Sequence, residues 1–301
     1  MVSSRKLILH IGCHKTGSSS IQKALYDSRP ALEGAGFVYF CRHRNDKLPP
    51  IRNANSWLQF RDGDAVECDI RRDLAPALVD LPGNVIVSAE HFSWVFDPAE
   101  IAAFHEQLRA IFDDIRVVVY VRRQDKQAVS HYQQGSEFRA FAAARYYDGH
   151  YRALPAYREE LRDYLDYARR LGRWADVFGD DSMDIRVFDR ECLHQGDVVA
   201  DFRAVTGLDL EIPAARMNES RSFEQTKLGH LMNEQKLSRR LRKALLQHTD
   251  QAGKLLPARA DARSFYQQFR DSNQQLNERF NISPQPTLFA EDFSMYPEVP
   301  C

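Results

Sequence analysis

The stretch Leu7-Ile8-Leu9-His10-Ile11-Gly12-Cys13-His14-Lys15-Thr16-Gly17-Ser18-Ser19-Ser20-Ile21-Gln22 passes from an apolar strand through a turn of small residues into a helix, with one lysine inside the turn. Backbone N–H groups of such a turn, together with the positive end of the helix behind it, converge on one point and hold phosphate or sulfate oxygens there. In the loop that binds ATP or GTP the pattern is G-x-x-x-x-G-K-[ST], with lysine directly after the second glycine and a hydroxyl for magnesium behind it. Here Lys15 precedes Gly17 by two positions, and Ser18 stands where that motif places lysine. The stretch therefore reads as an anion cradle unlike the nucleoside-triphosphate loop.

Outward from it, apolar runs rich in branched residues recur at 84–88, 116–121 and 183–188, matching the first run at 6–11. Segments of helical period lie between them, at 18–28, 99–112, 124–143, 155–178 and 197–206, the last closed by Gly207. Strands alternating with helices in this way predict an α/β fold: a three-layer parallel sheet with helices on both faces. Every strand end then delivers its loop to one edge of the sheet, where open α/β folds bind ligands. Past Pro213 the pattern is helical, with a basic amphipathic helix expected over 223–246 and a further helix over 261–279. One α/β domain over 1–301, with 213–301 as a helical extension packed on it, accounts for this order. The basic run from Arg239 to Lys243 reads either as a solvated helix face or as a surface for an acidic polymer.

Two more strand ends carry candidate chemistry. The run at 116–121 ends in Arg122, and Ser130 follows eight positions later in the next helix. Arginine offers a planar fork suited to phosphate, and a serine hydroxyl adds a neutral donor. The run at 84–88 is followed by Ala89, Glu90 and His91, a carboxylate and an imidazole side by side at the same sheet edge. Either can serve as a general base, and adjacent residues diverge, so one of the two faces the reacting groups.

Composition narrows the classes. The chain has 301 residues, 44% hydrophobic and 28% charged, with a net charge of -1. That balance argues against nucleic acid or an anionic membrane as the main partner. No apolar run is long enough to span a bilayer and none near Met1 has the length of a secretory core, so a cytoplasmic protein is expected. The cysteines at 13, 41, 68, 192 and 301 form no C-x-x-C pair, and the spacing of His10, Cys13 and His14 matches no usual zinc pattern. No metal site is expected.

The order Lys15-Thr16-Gly17-Ser18-Ser19 resembles the 5′-phosphosulfate loop of sulfotransferases, which bind 3′-phosphoadenosine 5′-phosphosulfate (PAPS). The strand, Arg122 and Ser130 resemble the 3′-phosphate site of that family, and the run at 183–188 with Asp189, Arg190 and Glu191 extends the likeness more loosely. The resemblance implies a P-loop-like sulfotransferase fold. It also implies PAPS as co-substrate without a metal, bound through Lys15, Thr16, Gly17, Ser18, Ser19, Ser20, Arg122 and Ser130. Lys15, Glu90 and His91 are the catalytic candidates it marks, with Glu90 favoured by likeness to carbohydrate-directed members. Ser20 replaces the tryptophan that many cytosolic members stack on adenine, and their glycine-rich C-terminal phosphate loop is missing. The chain looks more like the bacterial and carbohydrate-directed branch. There a different C-terminal segment covers the nucleotide, and Asn218 to Ser222 is the candidate, with Arg221 as ligand. The acceptor implied is a glycan or glycolipid hydroxyl or an amine, with a small phenolic or natural product as alternative. Aromatics at Trp57, Phe60, Phe92, Trp94, Phe138, Phe141, Tyr146 and Tyr147 are candidates for its platform. The competing readings are a P-loop kinase using ATP and magnesium, and a binding protein that has lost catalysis.

Overall fold

The structure is a computed structural model that describes residues 4–41, 51–62, 66–137, 153–155, 157–213 and 221–300. Its centre is β1 (Lys6–His10), whose Leu7, Ile8 and Leu9 are all fully buried. A strand this apolar on both sides needs cover on both sides, and it has it. Leu7 and Leu9 enter one apolar cluster and Ile8, pointing the other way, enters a second.

The chain continues through α1 (Ser18–Asp27), α2 (Arg29–Gly34), β2 (Phe37–Phe40) and a small antiparallel ribbon of β3 (Leu58–Phe60) and β4 (Cys68–Ile70). Then come α3 (Pro76–Val79), β5 (Asn84–Ser88), α4 (Pro98–Arg109), β6 (Asp114–Val121) and α5 (Gln124–Gly135). Next are α6 (Arg162–Leu165), α7 (Tyr167–Phe178), β7 (Met183–Val187) and α8 (Val198–Thr206). The last elements are α9 (Phe223–Glu234), α10 (Arg239–Leu246), α11 (Arg259–Gln267) and α12 (Arg270–Phe280).

The main sheet has five strands in the order β2-β5-β1-β6-β7, and every pairing is parallel. Ile21 of α1, Leu32 of α2 and Phe202 of α8 cover one face. Phe104 of α4, Ala128 of α5 and Trp174 of α7 cover the other. The α/β class and the layered parallel sheet read from the sequence are thus present, and β2 joins at the edge beside β5 as a strand too short to stand out. Because α1 leaves β1 toward one face and α5 leaves β6 toward the other, a crevice opens between these neighbouring strands. Among the described residues no helix is long and apolar enough to cross a membrane.

Three expected helices are broken, two of them at a side-chain cap. The segment expected as one helix over 155–178 is divided at Asp166, whose carboxylate accepts the N–H of Arg169 and starts α7. The helix expected over 223–246 is two: Lys236 takes a left-handed φ of 51°, and Ser238 then caps α10. The one expected over 261–279 starts at Arg259 and breaks between Gln267 and Arg270. The end of the expected helix 124–143 lies outside the described residues. Phe265, Leu276, Phe289 and Tyr296 join the same apolar cluster as Leu7 and Leu9, so the C-terminal segment contributes to the central core.

Candidate active site

The loop after β1 is curled by three left-handed residues: Gly12 (φ 75°), Lys15 (φ 61°) and Gly17 (φ 83°). A Cβ on Gly12 would stand 2.7 Å from the Glu90 Cα, and one on Gly17 would stand 2.9 Å from Phe188 and Val198. The glycines therefore let the loop wedge between the strand end that carries Glu90 and the segment after β7. Thr16 and Ser18 donate their hydroxyl protons to the Cys13 carbonyl at 2.7 and 3.0 Å, which fixes the curl from inside. Those hydroxyls are committed; what Thr16 and Ser18 offer a ligand is their backbone. The N–H groups of Lys15, Thr16, Gly17, Ser18 and Ser19 have no acceptor among the described residues. Those of Ser20 and Ile21 close onto the Gly17 carbonyl. Five free donors at the start of a helix without an acidic first turn make a site for an anion. The Ser19 side chain is exposed and that of Ser20 half-buried.

Two adjacent arginines follow β6 and divide the work. Arg123 is buried against Asp125 at 2.7 Å and donates to the carbonyls of Ala290 and Asp292, while Tyr296 donates to the same aspartate. It clamps the C-terminal segment. Arg122 turns instead to the loop, donating from Nη1 to the Lys15 carbonyl at 3.2 Å, with its guanidinium 5.7 Å from the Phe188 ring. Ser130 is half-buried on a stripe of α5 with Lys126 and Gln134, the face that the helix does not bury. A cavity of about 340 Å³ lies beside Arg122, lined also by Lys126, Phe188, Arg190 and Val198. Phe188 and Val198 are the residues against which Gly17 packs, so this cavity adjoins the loop.

On the other side of Lys15 stands an aromatic wall. His14 stacks on Trp94 at 4.0 Å and on His131 at 4.8 Å, and His91 lies 5.2 Å from both Trp94 and Phe60. Tyr164 receives an N–H from Gln127 at 2.9 Å and one from the His14 backbone, so its hydroxyl proton goes to His14 Nδ1 at 3.0 Å. That leaves the proton of His14 on Nε2, a buried atom with no partner among the described residues. Burial, and then the charges of His131 and His91, hold His14 well below the usual imidazole range. Beneath the loop, Arg170 is buried between Tyr164 and Tyr167 and donates to the Cys13 sulfur.

Glu90 is oriented by a polar thread through the sheet. Gln22 of α1 donates to its carboxylate at 2.7 Å and to Ser88 Oγ at 3.2 Å, and Ser88 bonds His10 at 2.8 Å. His91 faces the aromatic wall, its pKa lowered by burial and partly restored by Glu90. Burial lowers the pKa of Lys15, the carboxylate of Glu137 raises it, and Arg122 lowers it again. Arg122 meets the loop at the Lys15 carbonyl, the Glu90 backbone lies against it at Gly12, and His91 stands in the adjoining aromatic wall 5.8 Å from His14.

Arg221 is elsewhere: it donates to the Ser136 carbonyl at 3.0 Å, at the far end of α5 from Arg122. Asn218, Glu219 and Ser220 lie outside the described residues, as do Phe138, Phe141, Tyr146 and Tyr147. Phe92 is a core residue packed on Phe104 and Trp174, so it is not part of any platform. His14 was weighed from sequence only as part of a metal pattern, and His131, Gln22 and Tyr164 were not singled out, since the fold brings His131 and Tyr164 to this edge from distant segments. No group of histidine, cysteine, aspartate and glutamate among the described residues is arranged to hold a metal ion.

The buried histidines give a pH dependence. Burial lowers His10 to about 3 and His131 to about 3, helped at His131 by the charges of Lys15 and His91. Both lie below the unfolded value of about 6.5, so unfolding takes up protons below that pH. Stability is full above pH ~6.5 and drains as the pH falls toward 3, at about 1.4 kcal/mol per pH unit for each ring. By pH 5 the pair should have cost about 4 kcal/mol. Urea unfolding at pH 7.5 and 5 should show the loss; equal stabilities would mean that both rings protonate freely in the native state.

No known family profile matches the chain. Over 197 residues it is 28% identical to an uncharacterized protein of Archaeoglobus fulgidus, a match that covers 60% of this chain and 50% of that protein. The chain thus spans about half the length of the curated relative it matches. Among solved structures it is similar to a sulfotransferase from Alicyclobacillus acidocaldarius, at 14% identity and a TM-score of 0.47 over 94% of this chain and 98% of that one.

Proposed function

We propose that this protein is a PAPS-dependent sulfotransferase that moves a sulfuryl group to a hydroxyl or amine of an acceptor, probed first among glycans and glycolipids. One observation carries the reading: five unpaired N–H groups around Lys15, with Arg122 bonded to the carbonyl of that same lysine. A cradle for one end of a nucleotide is thereby tied to a cation for the other, and the donor set fits a carrier with phosphate at both its 5′ and 3′ positions.

In this reading the loop N–H groups from Lys15 to Ser19 bind the 5′ phosphosulfate oxygens, while Arg122 and Ser130 bind the 3′ phosphate. The cavity beside Phe188 takes the nucleoside. When bound, PAPS supplies an activated sulfuryl group. Glu90, held by Gln22, takes the acceptor proton as the new S–O bond forms, with His91 as the alternative base. Lys15 neutralises the charge that grows on the leaving phosphate oxygen, and the loop donors share that load. We place no metal in this step, because Lys15 and the loop N–H groups supply the neutralising charge. Residues 1–301 act as one unit in this proposal, in the cytoplasm, without nucleic acid as partner. The test is to incubate the protein with PAPS and glycan, glycolipid or phenolic extracts and search by mass spectrometry for an added sulfonate. A product made from ATP and magnesium, bearing phosphate, would replace this reading with a kinase.

A further inference from the structure

Along α7 the buried stripe runs through Tyr167, Leu171, Trp174 and Phe178, and Arg170 occupies a position within it. Its neighbours Arg169 and Arg173 reach the Asp163 carboxylate at 3.2 and 3.9 Å. Arg170 does not: it is 1% exposed, and among the described residues no carboxylate pairs with it. Its guanidinium donates to the Cys13 sulfur at 2.7 Å and to the Ser93 carbonyl at 3.4 Å, while its Nε is buried without a partner there. The rings of Tyr164 and Tyr167 lie 5.1 and 5.2 Å from it and offset part of the desolvation. Burial pushes the Cys13 thiol and both phenols up, so all three stay neutral. A guanidinium held out of water with no opposite charge is costly to the fold.

Two direct contacts tie this charge to the anion loop. Cys13 takes Arg170 on its sulfur, and on its carbonyl it takes the Thr16 and Ser18 hydroxyls that fix the curl. Tyr164, beside the same guanidinium, bonds both the backbone N–H and the ring of His14. The two residues that lead into Lys15 are thus each held from the side on which Arg170 is buried. Five N–H groups of that loop, from Lys15 to Ser19, have no acceptor among the described residues. A cation without an anion therefore lies behind a cradle without an anion.

We propose that Arg170 is a positioning residue for the anion loop whose counter-charge arrives with the ligand: the phosphate or sulfate bound in the loop balances it across Cys13. This deepens the proposed function and rests on that reading for the place of the 5′ group. Arg170 does not touch the ligand. It acts through the dry layer between them, where a charge is screened far less than in water. The free protein carries the desolvation cost and the bound protein recovers part of it, so removing the cation should weaken the ligand and spare the fold. The same contacts would let Arg170 serve instead as a bracket between the loops after β1 and β5, and the experiment separates a charge from a bracket.

Isothermal titration would compare the intact chain with Arg170→Met and Arg170→Lys. The titrants are adenosine 5′-monophosphate, adenosine 3′-monophosphate and adenosine 3′,5′-bisphosphate, and the thermal midpoint of each free protein is taken beside them. Arg170→Met should weaken the two ligands that carry a 5′ phosphate by about tenfold and leave the 3′-monophosphate unchanged. Its free form should melt no lower than the intact chain, since an apolar side chain of similar length replaces an unbalanced charge. Arg170→Lys keeps the charge without the fork and should keep the preference for a 5′ phosphate. A loss shared equally by all three ligands, no loss at all, or a lowered midpoint in Arg170→Met overturns the proposal. So does Arg170→Lys behaving as Arg170→Met does, which is the bracket. If the 5′ effect appears as described but the intact chain gains nothing from the 3′ phosphate of the bisphosphate, the role of Arg170 stands and the sulfotransferase reading falls. If the intact chain binds none of the three, both fall.

Discussion

Lys15→Ala is expected to lower the rate of sulfuryl transfer by roughly a hundredfold to a thousandfold, the usual cost of removing one preorganised electrostatic donor. The thermal midpoint should change little. Lys15 is half-buried at the loop surface, and the curl is held by Gly12, Gly17 and the hydroxyls of Thr16 and Ser18, all of which remain. The carbonyl that Arg122 grips is also kept, since it belongs to the backbone. Binding of adenosine 3′,5′-bisphosphate should therefore weaken far less than the rate. Single-turnover measurement of sulfonate transfer, run beside a bisphosphate titration, separates these effects. Full activity in the variant would end the role proposed for Lys15. The pH profile of the intact enzyme offers a second check: burial lowers the pKa of this ammonium, so the cation is lost at a lower pH than that of an ordinary lysine.

Arg122→Ala should weaken adenosine 3′,5′-bisphosphate by roughly tenfold to a hundredfold, on the scale of removing one partner from a desolvated, charge-assisted hydrogen bond. The informative quantity is a ratio. The intact chain should prefer the bisphosphate to adenosine 5′-monophosphate, and the variant should bind the two nearly alike, because the proposal gives this guanidinium to the 3′ phosphate alone. Arg122→Lys keeps a cation without the fork and should fall between them. If the preference survives in Arg122→Ala, the 3′ phosphate is held elsewhere. Arg123 provides the contrast. Its partners are Asp125 and the backbone of the C-terminal segment, so its loss should appear as lowered stability rather than altered selectivity.

The strands β1, β5 and β6 could be read in advance because a parallel strand buried on both faces is a nearly unbroken apolar run, whereas β7, at the sheet edge, shows in the alternation of Met183, Ile185 and Val187 with Asp184 and Arg186. The loop after β1 and the arginine after β6 were legible for the same reason: both sit where such a run stops. What could not be read depends on distant partners. Asp125 lies close to both Arg122 and Arg123 in sequence, and which of them turns from it to the crevice is settled by the carbonyls of Ala290 and Asp292 and by Tyr296, at the other end of the chain. His14 and His131 are unremarkable in sequence and become a stacked pair only when loops from neighbouring strands meet. The helix breaks at Asp166 and Lys236 are single-residue events that leave the period of the flanking apolar positions intact. The orientation of α10 was the least accessible, since its pattern predicts leucines inward and the fold places an arginine there.

The most direct test of the account is a calorimetric titration of the purified protein with adenosine 3′,5′-bisphosphate and with ATP, each with and without magnesium. A loop whose lysine precedes its glycine, joined to an arginine at the neighbouring strand end, should bind the bisphosphate tightly without magnesium and ATP weakly in either condition. Tight, magnesium-dependent binding of ATP with no affinity for the bisphosphate would contradict it.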